Sequence, residues 1–249
     1  AMMTISLVGC SSSSDNTDET TSKDKLQQIK DAGVLVVGTS ADYAPYEFHY
    51  IDENGKDVIG GFDVDIANEI ASKLGVELVI QEMDFDALVT ALPAGKVDLV
   101  ISGMNPTEER AKVVDFSEVY YNSQHGILVR AEDVDKYKTF ADLEGAKVGA
   151  QLGSTQEQIA KNEIPNADLQ LLANVNNLIL ELKSGKVDAI IMEKPVAQMA
   201  VKSNPELAVG EPTYEEESGG NAVGVAKGNE ELLAKVNEVI KELNETGKM

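Results

Sequence analysis

Ile101-Ser102-Gly103-Met104-Asn105-Pro106-Thr107-Glu108-Glu109-Arg110 follows the apolar run Val97-Asp98-Leu99-Val100-Ile101. The pattern predicts a buried strand emptying into a small polar loop, with Thr107 capping a helix that holds Arg110 in its first turn. Free backbone N–H groups, the positive end of a helix dipole and a forked guanidinium would together suit an anion, and a carboxylate best. An ordinary helix–strand connection with a surface arginine has the same composition, so these residues alone leave both readings open.

A second copy of the design favours the site. Gly95-Lys96-Val97-Asp98 recurs as Gly185-Lys186-Val187-Asp188, an offset of 90 residues. Each copy follows a leucine-bearing helical segment (Ala91-Leu92; Leu178 to Leu182) and precedes an apolar strand (Leu99 to Ile101; Ala189 to Ile191). That spacing is too long for a solenoid and suits one helix–Gly–strand unit in each of two lobes. The first copy runs out into Ser102 and Arg110, the second into Met192-Glu193-Lys194-Pro195. Ligands of open α/β sheets lie beyond the carboxyl ends of strands, so one lobe would offer a cation and the other an anion. A zwitterion fits such a pair.

The elements that must position these residues are legible in outline. Folded structure is expected from Leu26, with a strand at Val34 to Thr39 and a loop at Ser40 to Phe48 that carries Asp42, Tyr43, Pro45 and Tyr46. Tyr43 at that loop faces the crevice or simply packs in the core. Phe62, Ile66, Ile70 and Leu74 recur every fourth residue, an amphipathic helix closed by Gly75. A strand at Val76 to Ile80, a loop at Met83 to Asp86 and a helix at Ala87 to Ala94 complete a parallel α/β lobe. Extended segments from Val113 to Val129 carry the chain into the second lobe. There Lys147 to Ala150 is a strand, and Ser154-Thr155-Gln156-Glu157 has the signature of a helix start, making Thr155 a second candidate for a carboxylate. Helices at Asn176 to Ser184 and Pro195 to Ser203 and a return strand at Leu207 to Val209 follow. Gly219 to Ala226 rejoin the first lobe, and Leu232 to Leu243 is a last helix. Two crossings make a two-strand hinge.

With 249 residues, 43% of them hydrophobic, the chain can build two modest cores. Its 21 basic and 43 acidic residues give a net charge of −22, which argues against nucleic acid and anionic membrane surfaces as partners. The single cysteine, Cys10, excludes an internal disulfide framework. Cys10 ends Leu7-Val8-Gly9-Cys10 and precedes Ser11 to Ser14 and a polar run to Lys25. It is either a free cysteine beside a polar tail or, because the Leu-x-Gly-Cys pattern resembles a bacterial lipobox, a lipidated residue; the serine- and acid-rich linker favours lipidation. Neither His49 nor His125 lies near a plausible nucleophile, no metal-ligand spacing occurs, and no cofactor is expected.

Several separated motifs resemble the polar amino acid-binding proteins of bacterial ABC uptake transporters. They are Gly38-Thr39-x-x-x-Tyr43-x-Pro45-Tyr46-Glu47, Gly60-Gly61-Phe62-Asp63-Val64-Asp65, Ser102-Gly103-Met104-x-x-Thr107-x-Glu109-Arg110, Val113-Val114-Asp115-Phe116-Ser117 and Val148-Gly149-x-Gln151-x-Gly153-Ser154-Thr155. The resemblance covers residues 26–249 and implies two α/β lobes with the ligand in the interlobe cleft. The expected division is 1–9 a signal-peptide remnant, 10–25 a lipid-anchored linker, 26–121 and 214–249 the first lobe, and 122–213 the second. Arg110 would grip an α-carboxylate with Thr155, and Glu193 the α-ammonium, standing where an aspartate is usual. Tyr43 and Phe85 would stack on the ligand side chain, and Ser102, Gly103 and Asn105 would form the polar loop. Asp42, Asp84 and Asp86 could favour a cationic side chain, with Gln151 reading its end group, or could be solvated loop caps. The expected partners are a free amino acid, a membrane permease and, through Cys10, the outer face of the cell membrane; a monomer is expected. Enzymes resembling cyclohexadienyl dehydratases use the same scaffold, and there Glu193 would serve as acid or base.

Overall fold

The structure, a computed structural model, describes residues 24–122, 124–215 and 217–249. Along the chain the first elements are α1 (Lys25–Ala32), β1 (Val34–Thr39), β2 (Asp42–Tyr43), β3 (Glu47–Ile51), β4 (Asp57–Gly60), α2 (Phe62–Leu74) and β5 (Glu77–Glu82). Next come α3 (Phe85–Ala91), β6 (Leu99–Val100), α4 (Glu108–Ala111), β7 (Val114–Phe116), β8 (Gln124–Arg130) and β9 (Lys147–Gln151). The remainder is α5 (Thr155–Glu163), β10 (Asp168–Leu172), α6 (Val175–Lys183), β11 (Ala189–Glu193), α7 (Lys194–Ser203), β12 (Leu207–Glu215), β13 (Gly224–Ala226) and α8 (Glu230–Thr246).

Two five-stranded sheets form two lobes, ordered β5-β1-β6-β13-β7 and β10-β9-β11-β8-β12. In each, three parallel strands are joined by a fourth that runs antiparallel and is reached only after the chain has crossed between lobes. The central strands β6, β9 and β11 are buried on both faces, as helix-covered sheets require, while the edge strands β5 and β10 are partly exposed. Ile127 and Val129 of β8 pack with Phe140, Val148 and Ile159, while Leu128 between them packs with Leu178, Leu182 and Val196. In the first lobe Leu35, Leu99 and Val225 meet α2 and α8, and Val100 meets Phe85, Leu88 and Leu92.

The Gly-Lys-Val-Asp repeat has the same structural job in both lobes. Gly95 and Gly185 turn the chain at positive φ, 68° and 74°. Asp98 then clamps Val36 of β1 by its own amide (2.8 Å) and by a side-chain oxygen that accepts the Val36 N–H (2.8 Å). Asp188 clamps Lys147 of β9 in the same two ways, at 2.7 and 3.0 Å. Each carboxylate is matched by a cation, Lys25 and Arg130 respectively.

The segments that cross between lobes are tied together. Asn221 N–H donates to the Tyr121 carbonyl (2.8 Å), and Tyr120 N–H to the Asn221 carbonyl (2.9 Å). Gly220, at φ 145°, lies so close that a Cβ there would sit 2.0 Å from the Tyr121 oxygen. Strand β12 continues to Glu215, pairing with β8 past the boundary expected after 213. The loop expected over 40–48 contains β2 and the start of β3, which with β4 form a three-stranded meander. Cys10 and the tail expected as a tether lie outside the described residues, among which no helix is long and apolar enough to cross a membrane.

Candidate functional site

The carboxyl ends of β1, β6, β9 and β11 bring their following residues to one interlobe crevice, and the lobes meet there through side chains. Tyr46 OH donates to Glu193 Oε2 (2.6 Å), and the Glu193 amide donates to Tyr43 OH (3.0 Å). Gln156 Nε2 also reaches Tyr43 OH (3.0 Å). Thr155 Oγ1 donates to Asn105 Oδ1 (2.8 Å), and Arg110 Nη2 to the Gly153 carbonyl (3.0 Å). Asp42 Oδ2 accepts the Val175 N–H at the start of α6 (2.6 Å). In every one of these bonds a residue of the first lobe holds one of the second, so the lobes are closed on each other.

Arg110 and Glu193 belong to this one network but do not touch a common cavity. Arg110 Nη1 donates to the Asn105 carbonyl (2.9 Å), and the Asn105 amide donates to Asn221 Oδ1 (3.0 Å). Asn221 reaches Glu193 in either orientation of its amide, at 3.3 Å to Oε2 or 3.1 Å to Oε1. The relay Arg110–Asn105–Asn221–Glu193 thus joins the expected cation to the expected anion. Arg110 lines a cavity of about 420 Å³ with Phe85, Thr107, Gly153 and Thr155, whereas Glu193 is wholly buried on the far side of the relay. Its carboxylate and the charge-raising burial keep the phenols of Tyr46 and Tyr43 protonated, their pKa values pushed up first by desolvation and then by Glu193.

The helix ends expected to bind an anion differ from their sequence reading. Thr107 does cap α4, its hydroxyl accepting the Arg110 N–H (3.3 Å), but α4 is a single turn and its dipole is correspondingly small. Ser154 caps α5 through the Glu157 N–H (3.2 Å), and Glu157 reaches past the capping residue to the Gly153 N–H (2.8 Å). The start of α5 therefore already carries a carboxylate. Arg110, its guanidinium carbon 5.3 Å from the Phe85 ring centroid, is a cation at this end of the crevice.

Other expected residues are engaged as follows. Ser102 donates to Glu47 (2.8 Å) and accepts the Ser40 N–H (3.0 Å), and the Gly103 N–H goes to Asp63 (2.7 Å). Gln151 is buried and donates to the Ala173 carbonyl (3.1 Å) inside the second lobe. Tyr43 stacks on Tyr46 with ring centroids 5.9 Å apart. Asp42, Glu82 and Asp84 line a second cavity of about 490 Å³ with Ser40, Met83 and Asn174. Asp84 and Ala87 border it, while Phe85, Asp86 and Val89 border the Arg110 cavity, so the start of α3 contributes to both. Burial lifts the Asp42 carboxyl to about 6, the Val175 amide and Ser40 hydroxyl offsetting part of the rise. Asp86 is exposed and lies at the rim of the Arg110 cavity. Among the described residues no cluster of histidine, cysteine, aspartate or glutamate could hold a metal ion.

Sequence reasoning missed Tyr46, Gln156, Asn221, Glu47 and Asp63. One of them had a visible signal: Asp63, Ile66, Ala67 and Ile70 share a helical face, so an acid stands in the apolar stripe. Asn221 had none, since its neighbours come from distant parts of the chain.

A profile of the bacterial extracellular solute-binding proteins, family 3, matches residues 35–249. The arginine-binding extracellular protein ArtP of Bacillus subtilis is 37% identical across 100% of this chain and 91% of its own length. A probable histidine-binding protein of Campylobacter jejuni is 40% identical over 77% of this chain and 71% of its own. Among solved structures, the amino acid ABC transporter substrate-binding protein AbpA of Streptococcus pneumoniae, bound to L-arginine, aligns with a TM-score of 0.86. It is 42% identical over 89% of this chain and 93% of that one. With two lobes of matching topology closed on a crevice of opposite charges, and with these relatives, the chain belongs to the bacterial extracellular solute-binding proteins of family 3.

Proposed function

We propose that this protein captures a free cationic amino acid, arginine foremost, between its lobes and delivers it to the membrane permease of an ABC importer. The observation that carries the reading is the placement of charge about the start of α3, whose residues border both the cavity lined by Arg110 and the cavity lined by Asp42, Glu82 and Asp84. As the lobes part, the bonds of Arg110 to Gly153, Thr155 to Asn105 and Tyr46 to Glu193 are released. A ligand α-carboxylate then takes Arg110 and Thr155, and its ammonium takes Glu193. The guanidinium of arginine enters the acidic cavity, where a cation relieves the desolvated Asp42 carboxylate. Phe85 and Tyr43 flank the aliphatic stem, while Ser102, Gly103 and Asn105 shape the loop beneath. Gln151 acts from behind, through the segment at Ala173.

The names of relatives support this choice of ligand, since arginine is bound in the structures of the AbpA protein and of ArgBP from T. maritima. Charge-assisted hydrogen bonds contribute roughly 1.5–3 kcal/mol each, and a micromolar complex needs about 8 kcal/mol net. Glu193 acts in binding and not in catalysis: Tyr46 and Asn221 hold its carboxylate as an acceptor. The lobes are taken as 26–121 with 214–249 and as 122–213, with β12 carrying the second sheet on to Glu215. Lipidation at Cys10, with 10–25 as the linker, tethers a monomer outside the cytoplasmic membrane.

Calorimetry with arginine, lysine, histidine, cystine and glutamine tests the ligand. Arginine is expected to bind most tightly, and Asp42→Asn to lower its affinity about tenfold while changing that for glutamine little. Binding of neutral amino acids alone, or of none, overturns the assignment.

A further inference from the structure

Behind the Ser102-Gly103 loop lies a pair of acids to which the proposed binding scheme gives no part. Glu47 at the start of β3 and Asp63 in the first turn of α2 are each 1% exposed. The two carboxyl groups act directly on one another, close enough to share a hydrogen bond once one of them is protonated. Every other oxygen is committed to the ligand loop or its support. Glu47 Oε1 accepts the Ser102 hydroxyl (2.8 Å), and Asp63 Oδ2 accepts the Gly103 N–H (2.7 Å) and the Tyr120 hydroxyl (2.8 Å). That leaves Glu47 Oε2 and Asp63 Oδ1, the two buried oxygens with no other donor. Two carboxyl groups can bond in this way only when a proton lies between them.

Burial favours that proton, and the hydrogen-bond donors around the pair offset part of the effect. The titratable groups that act on the pair are acidic: Asp42 from β2 on Glu47, and the Tyr120 phenol from the first crossing segment on Asp63. The remaining contacts, Ser102 and Gly103 beyond β6, are neutral donors, and no lysine, arginine or histidine is among the groups acting on either acid.

We propose that Glu47 and Asp63 are positioning residues for ligand capture: as a carboxyl pair sharing one proton, they hold the Ser102–Gly103 loop in the conformation that binds. The proposal rests on the reading that this loop lines the ligand site. Burial agrees with it, lifting Asp63 to about 6 against the lowering by the Gly103 amide, the Tyr120 hydroxyl and Glu47, and burial followed by the charge of Asp63 lifts Glu47 well above the usual carboxylate range. Loss of the shared proton places two like charges in contact without water. Their separation draws Ser102 and Gly103 with them, and Asn105, which bonds both Arg110 and Thr155, follows two residues on. Affinity for the amino acid then falls as pH rises through the pair's titration.

Three readouts on the full chain test this. Infrared spectra at about pH 7.5 should contain a protonated carboxyl band that disappears at higher pH and is missing in Glu47→Gln. The Gly103 amide signal in nitrogen-15 NMR should move with the same midpoint. Arginine affinity should fall about tenfold over that interval in the wild type and stay level in Glu47→Gln, whose amide keeps a donor toward Asp63 and an acceptor for Ser102 at every pH. Should that variant not fold, Asp63→Asn replaces it, with its amide donating to Glu47. A wild type without the band, or a band that titrates while the Gly103 signal and the affinity stay fixed, overturns the proposal. If the band and the Gly103 signal move together but arginine does not bind, the pair stands as the loop's support and the ligand assignment falls.

Discussion

In the proposed scheme Arg110 is the residue on which recognition of an α-carboxylate turns. It is partly exposed, and it donates to the main-chain carbonyls of Asn105 and Gly153. Arg110→Ala is therefore expected to weaken amino acid binding by about a hundredfold or more, the loss of two charge-assisted bonds, while moving the thermal transition by only a few degrees. Calorimetric titration beside differential scanning calorimetry checks both halves; retained affinity would remove the carboxylate assignment. At this scale the sequence was most informative about charges with a recognisable local frame, such as Arg110 after Thr107 and Glu193 at the end of β11. It was least informative about their partners. Tyr46 was readable as part of an aromatic loop, but nothing in its spacing announced that its hydroxyl would meet Glu193 from 147 positions away. Ser102 and Gly103 were readable as loop residues, yet their orientation toward Glu47 and Asp63 depends on acids contributed by two other elements.

Among the elements, α2 owes its placement to one glycine. Gly61 has φ 128°, and a Cβ there would lie 2.2 Å from the Tyr46 carbonyl oxygen. That close approach lets the Phe62 and Asp63 amides donate to the Pro45 and Tyr46 carbonyls (3.0 and 2.9 Å), seating the helix start on the loop that carries Tyr43 and Tyr46. Gly61→Ala should cost several kcal/mol, from strain and displaced hydrogen bonds together, whereas Gly55→Ala, at φ 77° with nothing within 4 Å of the new methyl, should cost about 1 kcal/mol. Urea unfolding of the two variants checks the contrast; equal losses would contradict it. The long amphipathic helices were legible because many residues vote for one face, and α2 has the bounds expected, Phe62–Leu74. Short elements were not. Strand β6 is only Leu99–Val100, and α4 only Glu108–Ala111, because pairing and capping by distant residues set their ends. The repeated Gly-Lys-Val-Asp was visible as a repeat, but the reason for its aspartate, a clamp on the neighbouring strand, appeared only with the sheet.

The whole molecule carries a large negative charge and buries several acids, and the two act on stability with one sign. Asp42 and Asp63 titrate at about 6 in the folded chain against 3.8 for the ordinary side chain. Between those values the folded state holds more protons than the unfolded, so the free energy of unfolding falls as pH rises through the window. Repulsion within a net charge of −22 adds to the fall. The melting temperature is expected to be higher at about pH 5 than at about pH 7.5, and added salt should narrow the difference by screening the surface part. Scanning calorimetry across that range decides it, and a transition that rises with pH would contradict the account. Two lobes and two crossings were legible because a motif recurs and the chain visibly returns; the way the lobes lock was not, since it depends on side chains meeting across the crevice.

The tie between the crossing segments has a mechanical consequence. Asn221 is at once a rung of the axle, bonded to Tyr120 and Tyr121, and a neighbour of Glu193. The fulcrum and the grip therefore share a residue. If a guest is held at Glu193 as proposed, torque at that end would reach the bearing without passing through either sheet, and swinging shut and taking hold would be one motion rather than cause and effect.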